Sequence, residues 1–109
     1  MNQKVDNAQD ANGVKLRLSA QRALCGNIPR TLRSVSVEYH DTVIACRYVF
    51  DDGATTSEMA LLSCAGTEII ADYNEPYTIT EEFMTIPFPI KPEYLRYLVY
   101  MRAEGVVAL

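Results

Sequence analysis

The chain contains no tryptophan, one histidine and three cysteines in 109 residues. A single histidine argues against a catalytic zinc site, which draws its ligands mainly from histidine. Cys25, Cys46 and Cys64 are odd in number and form no CxxC pair. That argues against a disulfide framework or a zinc knuckle, and the apolar context of each predicts reduced, mostly buried thiols. Neither GxxxxGK[ST] nor GxGxxG occurs; Gly13, Gly26, Gly53, Gly66 and Gly105 are scattered as caps and turns. A nucleotide-binding loop is therefore unsupported. No apolar run approaches the roughly 20 residues of a membrane span, and the stretch 94–101 is broken by Arg96. The polar stretch 1–13 has no apolar h-region, so a cytoplasmic location is expected. Positive charge is also scarce: Lys and Arg number 10 against 14 Asp and Glu, for a net charge of −4. Phosphate neutralisation needs clustered cations, so nucleic acid is not the expected partner. A membrane partner, a cofactor and a metal are not expected either.

What is present is ordinary for a globular chain: 49% apolar and 22% charged residues. The pattern predicts one domain over residues 14–105, with a flexible leader at 1–13 and a tail at 106–109. Leu16, Ala20, Ala23 and Leu24 share one face of a helix over 15–25, which Gly26 and Pro29 terminate. Val35, Val37 and Tyr39 alternate with Ser34, Ser36 and Glu38, which predicts a strand over 32–39. His40-Asp41 is the expected hairpin turn. The next strand, 42–50, is apolar on both faces and reads as central. Asp51-Asp52-Gly53 is turn chemistry. Thr55-Thr56-Ser57-Glu58 then matches a capping box opening a helix over 56–72. Gly66 interrupts that helix at a cost of about 1 kcal/mol, which close approach to the sheet would explain.

Residues 77–88 are β-rich, and the broken alternation at Glu81-Glu82-Phe83-Met84 predicts a bulge or a strand bend. Pro87, Pro89 and Pro92 imply a long extended loop. A last strand follows at 95–102, with Leu95, Tyr97, Val99 and Met101 on one side. The order α-β-β-α-β-β predicts an α+β fold: a four-stranded antiparallel sheet with two helices on one face. The opposite face is expected to be open and to display tyrosines.

Catalytic constellations are weak. His40 and Asp41 could act as base and orienter for Cys46 or Ser36, but a solvent-exposed turn histidine is the favoured reading. Glu81 and Glu82 are neighbours on a strand and point to opposite faces, so they form no acid/base pair together. The seven tyrosines suit an interface or a core rim about equally well. The acids would converge if the hairpin and the helix ends lay at one pole, and such a patch would attract a basic protein. The candidate partner contacts are Glu38, Tyr39, Asp41, Asp51, Asp52, Glu75, Tyr77, Glu81 and Glu82.

The run from Arg17 to Leu24, then Ile28-Pro29 and Leu32-Arg33-Ser34-Val35-Ser36-Val37, has a familiar cast. So have Tyr48-Val49-Phe50-Asp51-Asp52-Gly53, Glu58, Leu61-Leu62-Ser63 and Thr67-Glu68-Ile69-Ile70-Ala71-Asp72. Over about residues 15–104 the chain resembles the small bacterial immunity proteins of contact-dependent growth inhibition and related polymorphic toxin systems. The resemblance implies binding and neutralisation of a cognate toxin C-terminal domain, often a nuclease, in the producing cell's cytosol. It carries no motif that assigns a binding residue. Two other functions are compatible with the residues: a homodimeric adaptor joined through a sheet face or edge, and a hydrolase using Cys46 or Cys64 with His40.

Overall fold

The computed structural model describes residues 10–105. The predicted leader up to residue 9 and the tail 106–109 lie outside the described residues. Six elements follow one another: α1 Ala11–Leu24, β1 Leu32–His40, β2 Val43–Phe50, α2 Thr56–Ala71, β3 Thr78–Thr85 and β4 Tyr97–Met101.

Helix α1 buries Leu16, Ala20, Ala23 and Leu24, as the period requires. It begins at Ala11, a turn before the apolar stripe starts. The Tyr97 hydroxyl donates to Asp10 Oδ1 at 2.8 Å, and Asp10 O accepts from Val14 N at 3.1 Å. Gly13 lets these two groups meet over the helix, since a Cβ there would push the Tyr97 hydroxyl and the Asp10 carboxylate aside. Helix α2 opens on the predicted capping box: Glu58 N donates to Thr55 Oγ1 at 3.1 Å and Thr55 N to Glu58 Oε1 at 3.0 Å. Gly66 is buried, and a side chain there would run into the Glu81 carboxylate and the Tyr48 hydroxyl. Close approach of helix to sheet is thus why this interior glycine stands.

The strands lie side by side in the order β3-β2-β1-β4. β1 is antiparallel to both β2 and β4, but β2 and β3 are parallel. The sheet is therefore mixed, and the expectation of a wholly antiparallel sheet is corrected. The cause is α2: a helical crossover returns the chain to its starting end and lays the next strand parallel. The hairpin turn is Asp41-Thr42 rather than His40-Asp41, with Asp41 in the left-handed region at φ 55°. The expected bulge in β3 is absent; its ladder with β2 runs unbroken from Val43–Thr78 to Phe50–Thr85. Register shifts occur instead in β1, against β2 at Leu32/Ser34 and against β4 at Val35/Ser36. The second shift puts Tyr97 and Tyr100 opposite Val37 and Val35 on the core side, and turns Met101 outward.

Both helices pack on one face. α1 rests on β1 and β4, α2 on β2 and β3, and the helices touch each other. The core between the layers holds Leu16, Val35, Val37, Ile44, Cys46, Tyr48, Phe50, Leu62 and Ile69, all at most 1% exposed. Each large apolar side chain buried this way stabilises by about 1.5–3 kcal/mol before entropy is counted.

The opposite face is not open. Because β3 and β4 lie at opposite edges, the chain between them must cross the sheet, and residues 86–96 do so as a proline-rich strap. Arg33 Nη1 donates to Ile86 O at 2.5 Å and Ile90 O at 2.8 Å, Leu95 N to Ser36 Oγ at 2.9 Å, and Arg47 Nη1 to Glu93 O at 2.9 Å. Beneath it Ser34, Ser36 and Val49 are buried to 1–2% exposure. The tyrosines of the sheet, Tyr39, Tyr48, Tyr97 and Tyr100, pack toward the helices. No described helix is long and apolar enough to cross a membrane.

Candidate partner-binding surface

The nine sequence-predicted contact residues fall into three places. Glu38, Tyr39 and Asp41 lie at the hairpin end of the sheet. Glu75 and Tyr77 join them there, because Thr78 N donates to Thr42 O at 2.9 Å where β3 begins. Asp51 and Asp52 lie at the other end, past Phe50, the whole length of β2 away. Glu81 and Glu82 sit between, on β3. The acids therefore do not gather at one pole.

Several of them already have partners. Glu38 accepts from Arg96 N at 3.1 Å and pairs with exposed His40 at 3.0 Å. The His40 contact holds its carboxyl below the usual range. Glu81 faces the helix layer and accepts from the Tyr48 hydroxyl at 2.7 Å, while Glu82 faces the strap side and pairs with Arg47 at 2.7 Å. Tyr39 stacks on Tyr97, and Tyr77 packs against Tyr73. Asp41, Asp52 and Glu75 are exposed.

Asp51 is a clasp. Its Oδ2 accepts from Arg102 Nη2 at 2.7 Å, and its Oδ1 from Asp52 N at 2.9 Å and Phe88 N at 3.1 Å. The Arg102 guanidinium, with these two amides, holds its pKa down at about 2. Arg102 also reaches Glu104, whose carboxyl is lowered chiefly by Arg33. A carboxylate depressed in the folded state stabilises above its unfolded pKa and loses that contribution as pH falls through the folded value. Stability should therefore decline as pH drops from about 4, the ordinary aspartate value, toward about 2. In urea titrations across that window, Asp51→Asn should show a shallower acid dependence than the parent chain. Identical slopes would remove the clasp.

Sequence reasoning missed Arg33. It is 3% exposed and forks onto Glu104, with Nε to Oε2 at 2.6 Å and Nη2 to Oε1 at 2.9 Å. The register shift between Leu32 and Ser34 turns it toward the strap. An arginine inside a run of alternating apolar residues was the available signal.

The thiol expectation is half corrected: Cys46 is buried, but Cys25 and Cys64 are exposed. Burial pushes the Cys46 thiol up to about 12, so it is not a poised nucleophile for His40. No group of three or more metal-ligating side chains occurs among the described residues. A groove of about 600 Å³ lies between the helices, lined by Lys15, Leu18, Ser19, Arg22 and Asp72. There Asp72 accepts from the Ser19 hydroxyl at 2.6 Å and pairs with Arg22.

Charge is segregated across the sheet. From residue 48 to 90 the sequence has eight carboxylates and no lysine or arginine. Most of that stretch is α2 and β3, on the β3 side of the sheet, and within it Asp51, Asp72 and Glu82 pair with Arg102, Arg22 and Arg47 while Asp52, Glu68 and Glu75 are exposed. The other flank carries Lys15, Arg17 and Arg22 on α1, and Arg96 and Arg102 at the ends of β4.

The MafI2 immunity protein family model matches residues 13–104. The chain therefore belongs to the MafI2 immunity proteins, and its role is toxin-neutralising immunity. No curated protein matches the chain.

Proposed function

We propose that this chain neutralises its cognate toxin C-terminal domain by stoichiometric binding in the bacterial cytoplasm, and that the toxin is a nuclease with a basic surface. The family match supplies the immunity role. The observation that supports a basic target is the stretch from 48 to 90, which has no lysine or arginine and leaves Asp52, Glu68 and Glu75 exposed. A nuclease carries cations to hold phosphates, and an opposed acidic surface speeds its capture and favours the correct partner. Such an interface would bury about 800 Å² per partner.

The contact set is tested by charge reversal at Asp41 and Glu75, exposed at the same end of the sheet. Lys91 and Arg30, both exposed, serve as reversed controls. Arg102 is unsuited to that purpose because it holds Asp51 and Glu104. In calorimetric titration with the toxin domain encoded beside this chain, the double reversal Asp41→Lys/Glu75→Lys should weaken binding at least about tenfold, 1.4 kcal/mol. The double reversal Lys91→Glu/Arg30→Glu should weaken it little. Equal losses in both pairs would defeat the basic-target reading.

A further inference from the structure

A strand at the rim of a sheet offers unpaired amides and carbonyls, and folded proteins shield such rims with bulges, prolines, lysines or short length. β4 has two of these protections: it spans five residues and its register with β1 shifts. β3 has none. It runs eight residues, Thr78–Thr85, without proline, lysine or register shift, and pairs on one side only among the described residues.

Which of its groups are free follows from the ladder. Thr78 N donates to Thr42 O at 2.9 Å and Ile86 N to Phe50 O at 2.9 Å, so the even-numbered residues turn their backbone groups toward β2. Alternation then aims the N–H and C=O of Ile79, Glu81, Phe83 and Thr85 outward. Phe83 is 38% exposed on this rim, its ring tilted against Tyr48 at 5.0 Å. The elements that border this rim supply carboxylates and no free cation: Glu68 is exposed on α2, Glu75 is exposed just before β3, and the one arginine on β2, Arg47, is spent on Glu82.

We propose that an extended, cationic segment of the toxin adds to the outer edge of β3 as a fifth strand, a mode that rests on the immunity reading above. Backbone pairing supplies the affinity and the surrounding carboxylates select a lysine- or arginine-bearing strand. A second copy of this chain fits the rim poorly, since pairing β3 with β3 would bring like charges together.

The test is residue-resolved amide exchange on the full chain, free and saturated with an inactive variant of the toxin domain encoded beside it. Exchange at Ile79, Glu81, Phe83 and Thr85 should slow at least about 100-fold on binding, while Thr80, Glu82 and Met84 are protected already in the free chain. Phe83→Pro, which removes an outward N–H, should bind at least about tenfold more weakly than Phe83→Ala, which removes only the ring. Binding with those four amides unchanged overturns the edge proposal and leaves the immunity reading standing. Absence of any binding overturns both. A free chain that is dimeric by light scattering with those four amides already protected assigns the edge to a second copy and overturns the toxin strand.

Discussion

Replacing Arg33 with alanine is expected to cost about 3–5 kcal/mol, the toll of breaking a buried ion pair from one side. The guanidinium is nearly buried, and every arm of it is used: two on Glu104, one shared by the carbonyls of Ile86 and Ile90. Removing it leaves two carbonyls unpartnered beneath the strap and Glu104 with Arg102 alone. Lysine keeps the charge but cannot form the fork, so Arg33→Lys should recover only part of the loss. Urea unfolding gives the magnitude. Amide exchange gives the location: Phe88, Leu95 and Arg96, whose amides are held along the strap, should exchange faster in the variant. A cost under about 1 kcal/mol, the net worth of one ordinary hydrogen bond, would mean that Arg33 does not anchor the strap.

Tyr48→Ala is the other large effect, again about 3–5 kcal/mol, as for a big aromatic deleted from a core. Tyr48 is fully buried on β2 and meets Phe83 of β3 at 5.0 Å. Its hydroxyl donates to Glu81 beneath Gly66, and burial, with Cys46 and Glu81 nearby, keeps its pKa raised. Tyr48→Phe removes only the hydroxyl and should cost about 1–2 kcal/mol, because the carboxylate loses its partner while the ring stays packed. A double cycle of Tyr48→Phe with Glu81→Gln would isolate the bond. Since this contact ties β3 to β2, the phenylalanine variant should also weaken toxin binding by more than a distant core change of equal stability cost. Equal binding losses for the two would separate the Tyr48–Glu81 bond from recognition.

Local patterns were legible wherever one face of an element meets the core. Leu16, Ala20, Ala23 and Leu24 announced α1, Thr55 and Glu58 announced the start of α2, and Val35 with Ile44 announced the sheet's inner face. The reading failed where a residue's surroundings come from elsewhere in the chain. Glu81 broke the alternation of β3 and suggested a bulge, yet it sits on the inner face because Tyr48 waits there with a hydroxyl. Of the candidate contacts, Asp51 looked like a free surface acid but is consumed by Arg102. Asp41, Glu75 and Tyr77 meet at one end because β3 starts beside the hairpin, which no local pattern gave.

Sequence alone determined where the helices and strands lie and which residues of α1, β1 and β2 face the core, because each depends on neighbours within a turn or a strand. Tertiary structure decided the parallel placement of β3, the strap over the second face and the bare outer edge. Those depend on which edge each strand joins, and that follows from where α2 must cross and where residues 86–96 must return, a constraint no local period encodes.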